Sequence, residues 1–180
     1  AAERPAGPST VNTEGSDTAI SPACRWIRVA GIVYCAPDPR ELRYRGNPRI
    51  EALLAELNGA GAPRNLTAEP GDALTAFLAA DVKMVQGARG HGVLAAVEAY
   101  RSAIRLYPDH FDVPRARLNI LLAYRGLGFH VELRNELGIL VKHGHLVPIA
   151  DALLGDLELE SGNLDAAEAA FGRASEASGL

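Results

Sequence analysis

A period of 34 residues constrains this chain more than any other feature. Gly128 and Gly162, Leu133 and Ala167, Leu137 and Phe171, and Leu140 and Ala174 are all related by that one offset. Repetition at this length means supersecondary units that stack, because a single unit cannot bury its apolar face alone. From Leu66 onward the apolar residues follow a helical period in six stretches: Gly71–Gln86, Val93–Tyr107, Pro114–Leu127, Val131–His143, Pro148–Ser161 and Leu164–Ser178. Short glycine-bearing turns join them. The chain of 180 residues carries 31 alanines and 23 leucines with only 6% aromatics, a balance that favours helices over an all-β fold. The expected fold is mainly α: three helix pairs at roughly 70–108, 114–147 and 148–180.

Within these copies the spacing reads Ala96-x3-Tyr100-x2-Ala103-x4-Pro108 and Gly162-x4-Ala167-x3-Phe171-x2-Ala174, with Ala123-Tyr124-x2-Leu127-Gly128 and Leu154-Gly155 on leading helices. This pattern resembles the tetratricopeptide repeat, and a plain helical bundle is the alternative. Small residues let helices approach, and the aromatic at Tyr100 or Phe171 fills the gap between pairs. The first copy lacks the aromatic and glycine of its leading helix, residues 109–113 add length, and Leu133 and Leu137 replace the usual alanine and aromatic. The resemblance implies a short α-solenoid whose leading helices line a groove for an extended peptide or partner helix. By position the groove would be lined by Arg115, Leu118, Leu122 and Arg125 from the second copy, and by Ile149, Ala152, Asp156 and Leu159 from the third. Some of these could instead pack against the residues that precede the repeats.

Those preceding residues divide in two. Residues 1–23 contain no leucine and are built of Pro, Gly, Ser, Thr and Ala, a composition that cannot bury a core. Residues 24–64 read as a small β-β-α unit: Arg25–Val29, Ile32–Tyr34 and Leu42–Arg45 have strand character, and Asn47-Pro48 opens a helix Arg49–Leu57. The domain scheme is therefore a tail (1–23), a β-β-α unit (24–64) and helical repeats (65–180).

Two cysteines occur, Cys24 and Cys35. The chain starts Ala1-Ala2-Glu3 without an initiator methionine, and the expectation is an exported, extracytoplasmic protein whose signal peptide has been removed. In that setting a lone pair is most simply one disulfide; two buried free thiols are the alternative. A straight strand would hold the two cysteines roughly 36 Å apart, whereas a disulfide needs Cα atoms within about 7 Å. The chain must therefore turn, near Ala30-Gly31; without that turn the bridge would run between molecules.

Catalytic and metal signatures are weak. His143-Gly144-His145 offers two ligands without a visible third, Asp109-His110 and Asp112 sit in a linker where helix capping accounts for the aspartates, and Glu158 and Glu160 face different sides of a helix. No nucleophile elbow, phosphate loop, dinucleotide fingerprint or zinc-protease motif is present. No catalytic residue, cofactor or metal is expected. The net charge of -4 argues against a general nucleic-acid binder, and no apolar run is long enough to span a membrane.

Charge is unevenly placed: +3 over residues 24–64 and -6 over residues 148–180. Opposed patches orient association. The functional expectation is a non-enzymatic subunit that assembles head-to-tail with copies of itself into a filament, its tail docking on a neighbour. The alternative is a monomeric envelope adaptor that holds a peptide or partner protein in the groove. Tyr100 and Phe171 are expected to be buried.

Overall fold

The computed structural model describes residues 25–37, 55, 73–90, 92–143 and 147–178. The expected tail, Cys24, the Leu42–Arg45 segment and the expected helix Arg49–Leu57, apart from a helical Ala55, lie outside these residues. So do Gly144, His145 and the side chain of His143.

The described chain is mainly helical, with a two-stranded antiparallel sheet ahead of the helices. Strands β1 (Arg25–Val29) and β2 (Ile32–Ala36) pair with Trp26 opposite Cys35 and Val29 opposite Ile32. The connecting turn is Ala30-Gly31, where a bond between the two cysteines would need one. Both residues have positive φ, 48° and 87°, which is the hairpin turn that matches strand twist and suits glycine far better than alanine.

Among the described residues six helices with defined bounds follow: α1 (Ala73–Gly90), α2 (Val93–Leu106), α3 (Val113–Leu127), α4 (His130–His143), α5 (Val147–Glu160) and α6 (Leu164–Ser178). Their bounds agree with the sequence periodicity to within a residue or two, except that α1 runs a full turn past Gln86. Extensive helix–helix packing joins sequence neighbours only, and it is heaviest within α1/α2 and α5/α6. Helix α3 packs more on β2 than on α4.

The 34-residue period reappears in the backbone. Gly128 N–H donates to the Arg125 carbonyl (3.1 Å) and Phe129 N–H to that of Tyr124 (2.9 Å). One period on, Gly162 N–H donates to Leu159 (3.0 Å) and Asn163 N–H to Glu158 (2.8 Å). With φ of 71° and 79° at the two glycines, α3 and α5 end in the same left-handed cap, which consumes carbonyls the helix leaves over.

Buried apolar side chains form one cluster from Ile32, Tyr34, Cys35 and Ala36 on β2 through Phe77, Met84, Val97, Tyr100, Leu118 and Leu121 to Leu137, Leu140 and Leu157. The hairpin thus shares its core with the helices. Ala96, Ala103, Tyr124 and Ala167 are buried as repeat positions, while Pro108 is exposed in the α2–α3 link. Ion pairs add later links: Arg101–Glu136, Arg134–Glu158, and Arg173 to buried Asp151 at 2.8 Å.

Phe171 departs from expectation. It is 37% exposed. Its ring lies over Gly155, where a Cβ would come within 2.6 Å of ring carbon, but among the described residues no further helix covers its outer side. Ala174 is half-buried.

Candidate binding groove

The period makes three sets of positions on α1, α3 and α5 equivalent: Asp81, Arg115 and Ile149; Met84, Leu118 and Ala152; Val85, Asn119 and Leu153. Asp81, Arg115 and Asn119 among them build a buried polar cluster in the first two pairs; Ile149, Ala152 and Leu153 of the third, with Leu118 of the second, line an open apolar cavity.

The cluster is assembled around Arg115, which is 2% exposed. Its Nε and NH2 donate to both carboxylate oxygens of Asp112 (2.9 and 3.2 Å). Its NH1 donates to Asp81 Oδ1 (2.7 Å) and to the Cys35 carbonyl (3.2 Å). Tyr100, fully buried on α2, donates its hydroxyl to the same Asp81 oxygen and accepts from Asn119 Nδ2 at 3.1 Å. Asn119 accepts from the Cys35 N–H (2.7 Å) and donates to the Cys35 carbonyl (3.0 Å). Two carboxylates face one guanidinium, and Asp81 Oδ2 is buried without a hydrogen-bond partner. Burial holds the Asp81 carboxyl above the usual carboxylate range, Arg115 offsetting part of the effect. Burial alone would lower the Arg115 pKa, but the charges of Asp81 and Asp112 more than reverse that and raise it well above its ordinary value. Tyr100 is pushed well up by burial and by the Asp81 charge.

The cavity lies beside this cluster. A solvent-open volume of about 530 Å³ is lined by Trp26 of β1, by Leu118, Leu122 and Arg125 of α3, by Pro148, Ile149, Ala152, Leu153 and Asp156 of α5, and by Ala174 and Ser175 of α6. Its origin is visible in the period. Where the first two pairs place Met84 and Leu118, the third places Ala152, and the missing volume is left open. Arg125 and Asp156 face each other at 2.8 Å on the rim, so the lining is nearly neutral. Trp26 is 55% exposed there.

Of the eight residues assigned to a groove from sequence, Leu118, Leu122, Arg125, Ile149, Ala152 and Asp156 come together around this cavity. Arg115 does not: its charge is consumed by Asp81 and Asp112, and it is buried. Leu159 is exposed but stands outside the lining. Asp112 sits at the N-terminus of α3 without making a side-chain cap, because its carboxylate holds Arg115 instead. His110 stacks on Phe77 at 5.0 Å. Sequence reasoning missed Asp81, Asn119 and Trp26. Two polar residues on apolar helical faces, one of them a period away from Arg115, were the available signal for the first two.

Among the described residues no group of three metal-ligating side chains occurs, and no helix is long and apolar enough to cross a membrane. The buried, fully coordinated arginine is chemistry for holding structure, and the apolar cavity is chemistry for holding side chains. No family model, curated protein or solved structure matches this chain.

Proposed function

We propose that this protein is a non-enzymatic interaction module that holds an extended, apolar segment of a partner polypeptide in the groove between Trp26, α3, α5 and α6. The observation that carries the reading is the cavity: it falls within the range of about 300–1,000 Å³ typical of ligand sites, and an exposed tryptophan forms one wall. Tryptophan is the residue most often found at the energetic centre of interfaces. The rim ion pair leaves no net charge to select a charged side chain, so apolar side chains fit best. An extended conformation is favoured because α3, a wall of the cavity, already carries the extended strand β2. Extensive helix packing confined to sequence neighbours and a helix cap repeated at 34 residues support reading the pairs as a tetratricopeptide-like solenoid. An exported location goes with the reading, on the strength of the cysteine pair.

The test is selection from a random dodecapeptide display library with the whole protein, counter-selected against Ala152→Arg, whose side chain would fill the cavity. Enrichment of sequences with apolar residues at alternate positions, binding the wild type and not the variant, is expected. Equal enrichment on both would overturn the reading.

A second reading, head-to-tail assembly of copies, is favoured by a separate feature. Helix α6 exposes Leu164 and Phe171 beside exposed Asp165, Glu168 and Glu176, while the hairpin presents Arg28 and Trp26. Apolar and charged matching of this kind suits a heterologous contact, which propagates unless it closes. Sedimentation that rises in size with concentration, and is reset to monomer by Phe171→Glu, would support it; a single monomeric species at high concentration would exclude it.

A further inference from the structure

We infer that the Asp81–Arg115–Asn119 cluster is a main-chain clamp whose ligand is the chain's own strand β2, and that through this clamp α1 and α3 set the position of Trp26 in the groove. The inference deepens the groove reading, and rests on it only for the effect on binding.

The clamp reads backbone alone. Asn119 takes both the N–H and the carbonyl of Cys35, and Arg115 takes the same carbonyl. Both Cys35 groups are available because a two-residue turn makes Val29 and Ile32 the first hydrogen-bonded pair, and pairs then alternate. Cys35 and Trp26 therefore form a pair that exchanges no hydrogen bonds, and the Cys35 backbone groups point away from β1, toward α3. In such pairs the Cα atoms are closest, about 4.5 Å, and side chains of the two strands share one face. Displacing Cys35 therefore displaces Trp26.

Rigidity comes from behind the contact. Arg115 is held along its Nε–NH2 edge by Asp112 and at NH1 by Asp81. Asp81 also takes the Tyr100 hydroxyl, and that oxygen accepts from Asn119. Groups that are 0–3% exposed and already oriented by neighbours lose little freedom when they grip the strand. Asn119 thus acts on the groove as a positioning residue: it does not line the cavity, yet it fixes the strand pair that carries the cavity's aromatic wall.

The chain's one tryptophan makes the inference measurable in the whole protein. The experiment compares Trp26 emission and acrylamide quenching in wild type, Asn119→Leu, Asn119→Gln, and Leu137→Ala, a core truncation in α4. Expected is a changed emission maximum and quenching constant in Asn119→Leu with helical circular dichroism retained, part restoration in Asn119→Gln, and no change in Leu137→Ala despite its lower melting temperature. Library-selected peptides should bind Asn119→Leu about tenfold or more weakly than wild type. Wild-type emission in Asn119→Leu, or an equal change in Leu137→Ala, would overturn the inference. If Asn119→Leu does not fold, Arg115→Lys, which keeps the charge but cannot reach all three acceptors, is expected to give the same emission change. The emission readings need no ligand, so failure to select any peptide would count against the groove reading and leave the clamp to be judged on Trp26 alone.

Discussion

Arg115 and Asp81 stand one 34-residue period apart, on equivalent turns of α3 and α1, and meet in an ion pair of 2.7 Å at 2% and 0% exposure. Two successive helix pairs are joined by charge at a position where the third pair has Ile149. Replacing one member of such a pair strands the other without solvent. Arg115→Ala is expected to lower stability by about 3–5 kcal/mol, the usual consequence of an uncompensated buried charge. Equilibrium urea unfolding measures it; a loss under 1 kcal/mol would mean that the pair is solvated.

Asp81 also sets a pH dependence. Its folded-state pKa is raised, first by burial, so it favours folding below the unfolded carboxylate value of about 3.9 and loses that contribution as pH rises through its folded value. Relative to Asp81→Asn, the wild type should therefore lose stability as pH rises above 4, until the difference levels off. Unfolding at a series of pH values gives the comparison, and a wild type that gains on the variant with rising pH would contradict it.

At the hairpin, Ala30 occupies a left-handed conformation with φ of 48°. An L residue other than glycine, asparagine or aspartate is strained there by about 1–2 kcal/mol. Ala30→Asn should raise stability by about 1 kcal/mol, seen as a higher urea midpoint at unchanged slope. A lowered midpoint would mean that the turn geometry is different.

Much of this fold was legible because period and burial coincide. Helices α2 to α6 were delimited to within a residue or so by apolar spacing and, for α3 and α5, by the glycines that end them, and the Ala30-Gly31 turn followed from the distance the expected disulfide would allow. What escaped was interior chemistry. Arg115 sits at a groove position by register, and nothing local shows that Asp81 and Asp112 will neutralise and bury it. Asp112 likewise carries a capping residue's position but spends its carboxylate on Arg115. Six groove residues were placed together by the repeat register alone, whereas Trp26 comes from β1, whose partner strand β2 is seated on α3 by a contact 84 residues apart in sequence. Phe171 fills the aromatic position, but the position's burial depends on a following helix.

That difference has an energetic consequence. Removing the Phe171 ring should cost only about 1–2 kcal/mol, well under the 3–5 usual for a fully buried phenylalanine, because part of its surface stays in water. Leu137→Ala, at 1% exposure, should cost about 2–5 kcal/mol. Thermal unfolding of the two variants orders them; a larger drop for Phe171→Ala would show that its outer face is covered in solution.

Cys35 is fully buried and is not a free thiol. Cys24, its proposed partner, precedes the start of β1 by one residue. Intact mass of the denatured, unreduced protein should be two hydrogens below the reduced mass, with no thiol open to alkylation. Two alkylated cysteines without prior reduction would exclude the bond.

The groove reading is tested most directly by the emission of Trp26 as a library-selected dodecapeptide is titrated into the whole protein. A tryptophan that is 55% exposed and becomes covered by apolar side chains should shift to shorter wavelength, saturably, and with one peptide per chain. The same titration of Ala152→Arg should leave the emission flat. Saturable binding that leaves the Trp26 emission unmoved, or a shift of equal size in Ala152→Arg, would place the binding surface elsewhere and contradict the account.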